Sequence, residues 1–470
     1  MHSTSSTSFS PSAVSAEINL SYVWMIALVA ALGGLLFGYD WVVIGGAKPF
    51  YEPYFHLTTE TQVGWANSCA LIGCFLGSLA GGRVSDHLGR KRVLLASAFI
   101  FTVSSLLTGW ASHFSSFITW RIMGGVAIGL ASNVSPTYIA EISPAQWRGR
   151  LVSLNQLALV IGILAAQIVN WLIARPVPDG LSQAAAFATW NVQYGWRWMF
   201  TAVAVPSLIF LVAVPLIPES PRWLVARRQD ANARQVLAKI GGERYSQFEL
   251  EGIQQSLAGS VKEVRWSAML RGRIFTLLWI GIGLVVLQQG SGINVFFNYA
   301  EEVYRSAGYG TNEILFNIVI TGTINLLFTL LAMTLVDRFD RRRLMILGSL
   351  GIGLCHVVAG AAYRLHLHGT WILVVTLAAI AFYAMTLAPV TWVLITEIFP
   401  NRYRGTAVSI TVAALWIASF VLTYTFPILN RSVGSAGTFL FYSAICFAGA
   451  AFVFTYVPET RGKSLEAIEA

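Results

Sequence analysis

Gln288-Gln289-Gly290-Ser291-Gly292-Ile293-Asn294-Val295-Phe296-Phe297-Asn298-Tyr299 lies inside a run, Ile274–Tyr299, that is otherwise as apolar as a lipid-spanning helix. Four carboxamides and two glycines in such a run are costly unless something hydrates or binds them. Carboxamides both donate and accept, so they suit a neutral ligand rich in hydroxyls. On an ideal helix Gln288 and Asn294 would not share a face, because six residues turn it by about 240°. Gly290 and Gly292 permit local unwinding that would aim the amides at one cavity. Interrupted helices of this kind hold substrate sites in transporters. The same amides could also glue a helix–helix contact, but they are too many for a packing seam alone.

Working outward, the 470 residues are 56% hydrophobic and 11% charged, which is a membrane composition. Twelve apolar runs approach or exceed the ~20 residues that cross a bilayer core. They are Tyr22–Ala47, Val63–Val84, Val93–Ala111, Phe114–Ala140, Leu151–Ala174, Met199–Ile217, Ile274–Tyr299, Ile314–Val336, Leu344–Tyr363, Trp371–Ile395, Ala407–Pro427 and Phe439–Val457. They predict an all-α membrane protein of twelve transmembrane helices. Loops after even-numbered spans, with the C-terminal tail, hold 24 of the 31 Lys and Arg, and the opposite side holds six, Lys48 among them. The bias puts both termini in the cytoplasm of a cell that carries the protein in its membrane. The net charge of +9 is thus a topology signal and gives no reason to expect a nucleic-acid partner. Residues 1–21 lack a basic start and read as a disordered cytoplasmic tail. Residues 218–273 read as short amphipathic helices at the cytoplasmic surface, Trp223–Ile240 being the clearest, and 458–470 as a second cytoplasmic tail.

Charge within the spans is rare and informative. Asp40 in span 1 and Arg121 in span 4 each lie about seven residues from the outer end of their span, roughly 10 Å deep at ~1.5 Å per residue. They are the only opposite charges deep and level enough to pair, and protonating the carboxylate would release the arginine. His113 and His356 are weaker proton candidates, His356 reading as a packing residue. Gly73, Gly77 and Gly81 recur every fourth position in span 2 and predict a helix–helix seam. The second half offers Asn317 and Asn325 in span 8, Pro389 and Trp392 in span 10, and Trp416 in span 11. A proline there invites a bend. A tryptophan ring can stack on a pyranose face or fill a helix interface. The four cysteines, Cys69, Cys74, Cys355 and Cys446, have neither metal-ligand nor disulfide spacing. Gly462-Lys463-Ser464 lacks the first glycine of a phosphate-binding loop, so no nucleotide and no other cofactor is implied.

Three echoes divide the chain. Glu141-Ile142-Ser143-Pro144 before Arg148-Gly149 matches Glu397-Ile398-Phe399-Pro400 before Arg404-Gly405. Asp86 matches Asp337, and Pro218-Glu219-Ser220-Pro221-Arg222 matches Pro458-Glu459-Thr460-Arg461. Similar offsets imply duplicated six-span bundles, 22–217 and 274–457, pseudo-symmetric about the membrane normal with a cavity between them.

Taken together, Gly38-Tyr39-Asp40, the Asp86–Arg92 loop, Arg121, the two Glu/Arg pairs, the two Pro-Glu motifs and Gln288…Asn294 resemble the sugar porter family of the major facilitator superfamily over essentially all of Tyr22–Ala470. The resemblance implies alternating access between two six-helix halves, and a protein functional as a monomer. By similarity, Gln156, Gln288, Gln289, Asn294, Asn325, Trp392 and Trp416 would face the sugar, with Phe37 nearby. Asn298 joins this set, although the family usually has an aromatic hydroxyl there. Asp86, Arg90, Glu141, Arg148, Asp337, Arg341, Glu397 and Arg404 would form a cytoplasmic latch between the bundles. Family facilitators usually have Asn where Asp40 stands, so Asp40 with Arg121 points to proton symport. Asp340 replaces the glycine of the second latch loop. The expected function is uptake of a monosaccharide, hexose or pentose, with protons, and no enzymatic activity. A proton-independent facilitator and a transporter-like sugar sensor stay open at this point.

Overall fold

A computed structural model of the chain describes residues 18–178, 182–258, 272–335, 338–365, 367, 369–400 and 403–459. The expectations placed on Asp337, on the Asp86/Asp337 echo, on the N-terminal tail before residue 18 and on the C-terminal tail after residue 459 lie outside these residues. Among the described residues eleven helices are long and apolar enough to cross a membrane. Spans 1 to 6 are Leu20–Tyr54, Glu60–Leu88, Arg90–Gly109, Phe114–Ile142, Arg148–Ile173 and Asn191–Leu216. Spans 7 to 10 are Gly272–Asn298, Thr311–Leu335, Arg341–Arg364 and Thr370–Glu397. The eleventh helix, Arg404–Tyr456, is a double crossing: it bends back at Gly434, whose φ of 72° no helix can hold. It therefore supplies spans 11 and 12, and the expected twelve are present.

Two helices are broken where the sequence predicts it. Span 7 leaves the α-helix at Gly290 and resumes at Val295, with Gly292 at φ 77°. A side chain at Gly292 would also strike the ring of Tyr442. Span 10 breaks at Thr386, between Thr370–Met385 and Leu387–Glu397. The break sits one turn before Pro389, whose ring cannot donate to, and clashes with, the carbonyl four residues earlier.

Packing between spans relies on small residues, as expected where lipid offers no hydrophobic drive between helices. Spans 2 and 4 meet, as do spans 1 and 5, and 9 with 12. In the span 2 seam a methyl at Gly73 would lie 2.0 Å from the carbonyl oxygen of Ile122, and one at Gly77 2.3 Å from that of Val126. Gly81 differs from the expectation: its nearest neighbour would be 3.5 Å away, an ordinary contact, because the helices have begun to diverge there. Span 6 turns Val205, Leu208, Ile209, Val212 and Leu216 outward, a continuous apolar stripe suited to hydrocarbon.

The linker helices Pro221–Ala226 and Asp230–Ala258 lie on the face where span 1 begins, Asn19 N–H donating to the Ile240 carbonyl. The stretch Trp223–Ile240, read as one amphipathic element, is interrupted: Arg228 takes φ 59°, and a new helix starts at Asp230, whose charge suits a helix N-terminus. On the opposite face the first six spans meet the last six. Span 2 packs on span 11, and span 5 on span 8. Gly45 leaves no room for a methyl against the carbonyl of Phe297, nor Gly64 against that of Tyr424.

The seam geometry gives opposite signs for two alanines. Gly73→Ala should lower the melting temperature in detergent, the clash outweighing the ~1 kcal/mol that alanine gains in helix propensity. Gly81→Ala should raise it or leave it unchanged.

Candidate functional site

The break in span 7 decides where its amides go. Gln288, Gln289 and Asn294 are buried. Asn294 Nδ2 donates to Gln289 Oε1 at 2.5 Å, and Gln289 Nε2 donates to Gln288 Oε1 at 3.4 Å. Gln288 Nε2 in turn donates to the carbonyls of Leu387 and Ala388, at 3.1 and 3.4 Å, next to the break in span 10. The amides expected to open onto a cavity thus form a chain that satisfies itself and ties one broken helix to the other. The carbonyl of Ser291, freed by the break, is 2.7 Å from His356 Nε2 and accepts from Cys446 Sγ at 3.7 Å. His356 stacks against Phe296 and Phe439, in the packing role expected of it.

Asn298 goes elsewhere. It shares a pocket with Asp40, Trp41, Asn67 and Arg121, and its Oδ1 is buried without a hydrogen-bond partner. In the same pocket Arg121 Nη1 donates to both carboxylate oxygens of Asp40 at 2.8 Å. Asp40 and Arg121 are both buried, and the guanidinium also lies 5.3 Å from the ring centroid of Phe200. A buried pair of this kind is held by mutual neutralisation, and losing either charge strands the other. The level depth of the two residues in sequence is what brings them together.

An aromatic cluster crosses between the halves. Trp416 of span 11 contacts Phe37 and Trp41 of span 1, with ring centroids 5.7 and 6.1 Å apart. The Trp416 indole N–H is buried and unpartnered. Trp392, grouped with Trp416 in the sequence reading, is exposed and not part of this cluster. Gln156 is half-buried and Asn325 buried, and neither side chain hydrogen-bonds among the described residues. Two further polar residues stand out, one of them, Gln167, among the amides that span 5 offers in sequence beside Asn155 and Gln156. Asn67 lines the Asp40 pocket with an unpartnered Oδ1. Gln167 is buried against Gly322 of span 8, with both amide atoms unpartnered. Their signal in sequence is only a polar type within a span.

The expected latch residues form separate groups. Arg90 donates to both oxygens of Glu141, at 3.0 and 3.1 Å, and pairs with Asp86 at 3.0 Å. Ser220 Oγ donates to Glu141 at 2.5 Å. Arg148 does not join them: it is exposed, and its charge is felt instead by Glu249 and Tyr245 of the linker. Among the described residues, Arg341 reaches Glu459 through its backbone and Phe339 through its side chain, while Arg404 donates to the Phe399 carbonyl. These contacts stay within one half or the other because the halves meet on the opposite face. Glu397 lies at the C-terminal end of span 10.

The Pro-Glu echo has a role the sequence did not disclose. The Glu219 carboxylate accepts from the backbone N–H of Arg90 at 2.9 Å and of Lys91 at 3.2 Å, capping span 3 from across the fold. Gly89, at φ 96°, makes this possible, since a methyl there would lie 2.3 Å from Glu219 Oε2. Glu459 repeats the arrangement on span 9, accepting from the N–H of Arg341 and Arg342, each at 3.1 Å. Here Asp340 stands in place of the glycine, with an ordinary φ of −66°. Burial raises the Glu219 carboxyl above its usual pKa, although the backbone N–H groups pull the other way.

Interrupted helices, a buried acid–arginine pair and mirrored caps on spans 3 and 9 define a transporter of the major facilitator fold. The comparisons agree. The family model described as sugar (and other) transporter matches residues 26–470, and the chain belongs to that family. It is 36% identical to the D-xylose-proton symporter of Escherichia coli, covering 97% of this chain and 96% of that one. It is 39% identical to a glucose transport protein of Synechocystis, covering 95% and 97%. The arabinose-proton symporter of Bacillus subtilis is 34% identical, covering 96% and 95%. The partially occluded inward-open structure of the E. coli xylose transporter XylE superposes with a TM-score of 0.84 at 35% identity, covering 94% of this chain and 100% of that chain. XylE bound to 6-bromo-6-deoxy-D-glucose gives 0.79 at 37% identity, covering 96% and 99%. These relatives are sugar transporters, not enzymes, and their substrates differ, so membership alone leaves the sugar open.

Removing the cap tests the capping role of the Pro-Glu motif. Glu219→Ala should cost about 1–3 kcal/mol of stability by leaving the span 3 amides unpartnered. Glu219→Gln, which keeps an acceptor, should cost less. Thermal unfolding in detergent measures both.

Proposed function

We propose that the chain imports a monosaccharide, hexose or pentose, by proton symport through alternating access. The spans 22–217 and 274–457 would move as two bundles in the cell membrane, with both termini and the linker in the cytoplasm, acting as a monomer. One observation carries this reading: the buried Asp40–Arg121 pair shares its pocket with Asn298 of broken span 7. Protonation of Asp40 would free Arg121, and a change there would reach the helix bearing Gln288, Gln289 and Asn294. The names of the xylose– and arabinose–proton symporters support the coupling and the sugar class. The chain would be in an inward-facing state, since the halves meet opposite the linker face. The superposition on inward-open XylE supports this state.

In that state the unpartnered amide of Gln167 and the Trp416 N–H are candidates for sugar hydroxyls, beside the predicted Gln156 and Asn325. The amide chain from Asn294 to Gln288 would exchange its weaker 3.4 Å bonds for ligand hydroxyls at little net cost. The alternative is a facilitator. It is favoured by the way Arg121 Nη1 donates to both oxygens of Asp40, a closed pair that sugar movement alone need not open.

Uptake into proteoliposomes across a sugar panel, with and without a pH gradient, separates the two. A symporter accumulates sugar against its gradient when the outside is acid, and Asp40→Asn abolishes accumulation while sparing sugar exchange. Equal uptake at all pH gradients would leave the facilitator. Transport of a charged or lipophilic compound and no sugar would remove both.

A further inference from the structure

Lys48 carries an arrangement that neither the sugar site nor the proton pair uses. It sits near the end of span 1 away from the linker and is only 2% exposed. Its ammonium lies 3.1 Å from Glu52, 3.2 Å from Glu301 and 2.7 Å from Glu302. Glu52 belongs to the same helix, one turn on. Glu301 and Glu302 belong to the short helix Ala300–Ser306 that follows broken span 7. Glu301 also pairs with Arg305 of its own helix at 2.7 Å.

The pairs are distributed in a particular way. Each half carries its own neutralising partner: Glu52 for Lys48, and Arg305 for Glu301. The bonds that cross between halves, Lys48 to Glu301 and to Glu302, can therefore break without leaving a bare charge in an apolar wall. Glu302 has no partner of its own among the described residues, but it is a quarter exposed and would be hydrated on separation. An inter-half bond built from one lysine and one carboxylate would lack this property, since opening it would strand both. The cluster also adjoins the site. Lys48 lies 5.8 Å from the ring of Tyr299, the residue after Asn298, and Tyr299 OH donates to the Thr423 carbonyl of span 11 at 2.6 Å.

We propose that Lys48, Glu52, Glu301 and Glu302 form a charge-balanced latch that closes the face opposite the linker, with Glu52 as the resident partner that lets it reopen. The proposal rests on the alternating access argued above, but not on the identity of the sugar or on proton coupling. Lys48, Glu301 and Glu302 hold the closed state. Glu52 stabilises the open one, because only there is it the sole partner of Lys48. The two roles give substitutions of opposite sign, which general loss of stability would not.

Distances between spin labels on the full chain in lipid nanodiscs test this, without sugar or a pH gradient. Ser112→Cys and Leu367→Cys place labels on exposed residues of the two halves at that face, in a Cys355→Ser background because the other native cysteines are buried. Glu302→Gln and Lys48→Met should each enlarge the long-distance population about fivefold, at the lower end of common conformational couplings. Adding Glu52→Gln to Glu302→Gln should shrink it again, since an opened Lys48 would then be stranded. The conservative Glu302→Gln keeps the test valid should Lys48→Met fold poorly. No change with Glu302→Gln, or further opening when Glu52→Gln is added, overturns the latch. Failure of sugar uptake in the transport assay leaves this readout untouched.

Discussion

The structure depends on the way span 7 abandons its helix inside an apolar wall. Backbone groups released at such a break cost several kcal/mol each unless something bonds them. Here the partners come from neighbouring spans. His356 of span 9 and Cys446 of span 12 meet the Ser291 carbonyl, and Gln288 meets carbonyls at the second break, in span 10. The interruption is thus held by three other helices. Because the chain has turned at Gly292, Phe297 and Asn298 come to lie against the first half while Phe296 still stacks on its own bundle. That turn puts Asn298 in the pocket of Asp40 and Arg121, and puts Glu301 and Glu302 beside Lys48. One local break thereby brings the second half both to the pocket of Asp40 and to the ion pairs of Lys48 on span 1.

Much of this was legible in the residues. The apolar runs mark the spans, Gly290 and Gly292 mark the break, and counting depth along two spans pairs Asp40 with Arg121. These features depend on one coordinate, height along the membrane normal, which chain position supplies directly. What stayed hidden depends on azimuth and on long-range partners. Height does not reveal that Trp416 turns inward onto Phe37 while Trp392 is exposed. Nor does it reveal that the span 7 amides bond one another. The family resemblance implies a bridge between halves for Arg90 and Glu141, yet here they pair within one half, because the state of closure is not written in a motif. The echo at Pro218 and Pro458 was visible as a repeat. Its purpose was not, since a carboxylate capping a helix 129 residues away has no local signature.

The family relation places the chain among transporters whose named sugars include xylose, glucose and arabinose. Discrimination among such sugars turns on single hydroxyls, and a site that hydrogen-bonds a hydroxyl rejects the analogue lacking it far more strongly than an apolar pocket can reject an extra methylene. The places where this chain differs from its family therefore matter more than those where it agrees. Asn298 is the clearest candidate for such a difference, because the family resemblance implies an aromatic hydroxyl where this chain has a carboxamide that lines the pocket of Asp40 and Arg121.

The mirrored caps at Glu219 and Glu459 carry a mechanical implication. Each lies at the far end of its own six-span unit and grips the amides that begin that unit's third helix. A carboxylate bound to two successive backbone N–H groups is held by the chain itself and not by a mobile side chain. Each cap therefore fastens the segment that follows a unit's sixth span to the start of its third, so that the two ends of that stretch form one piece at the linker surface.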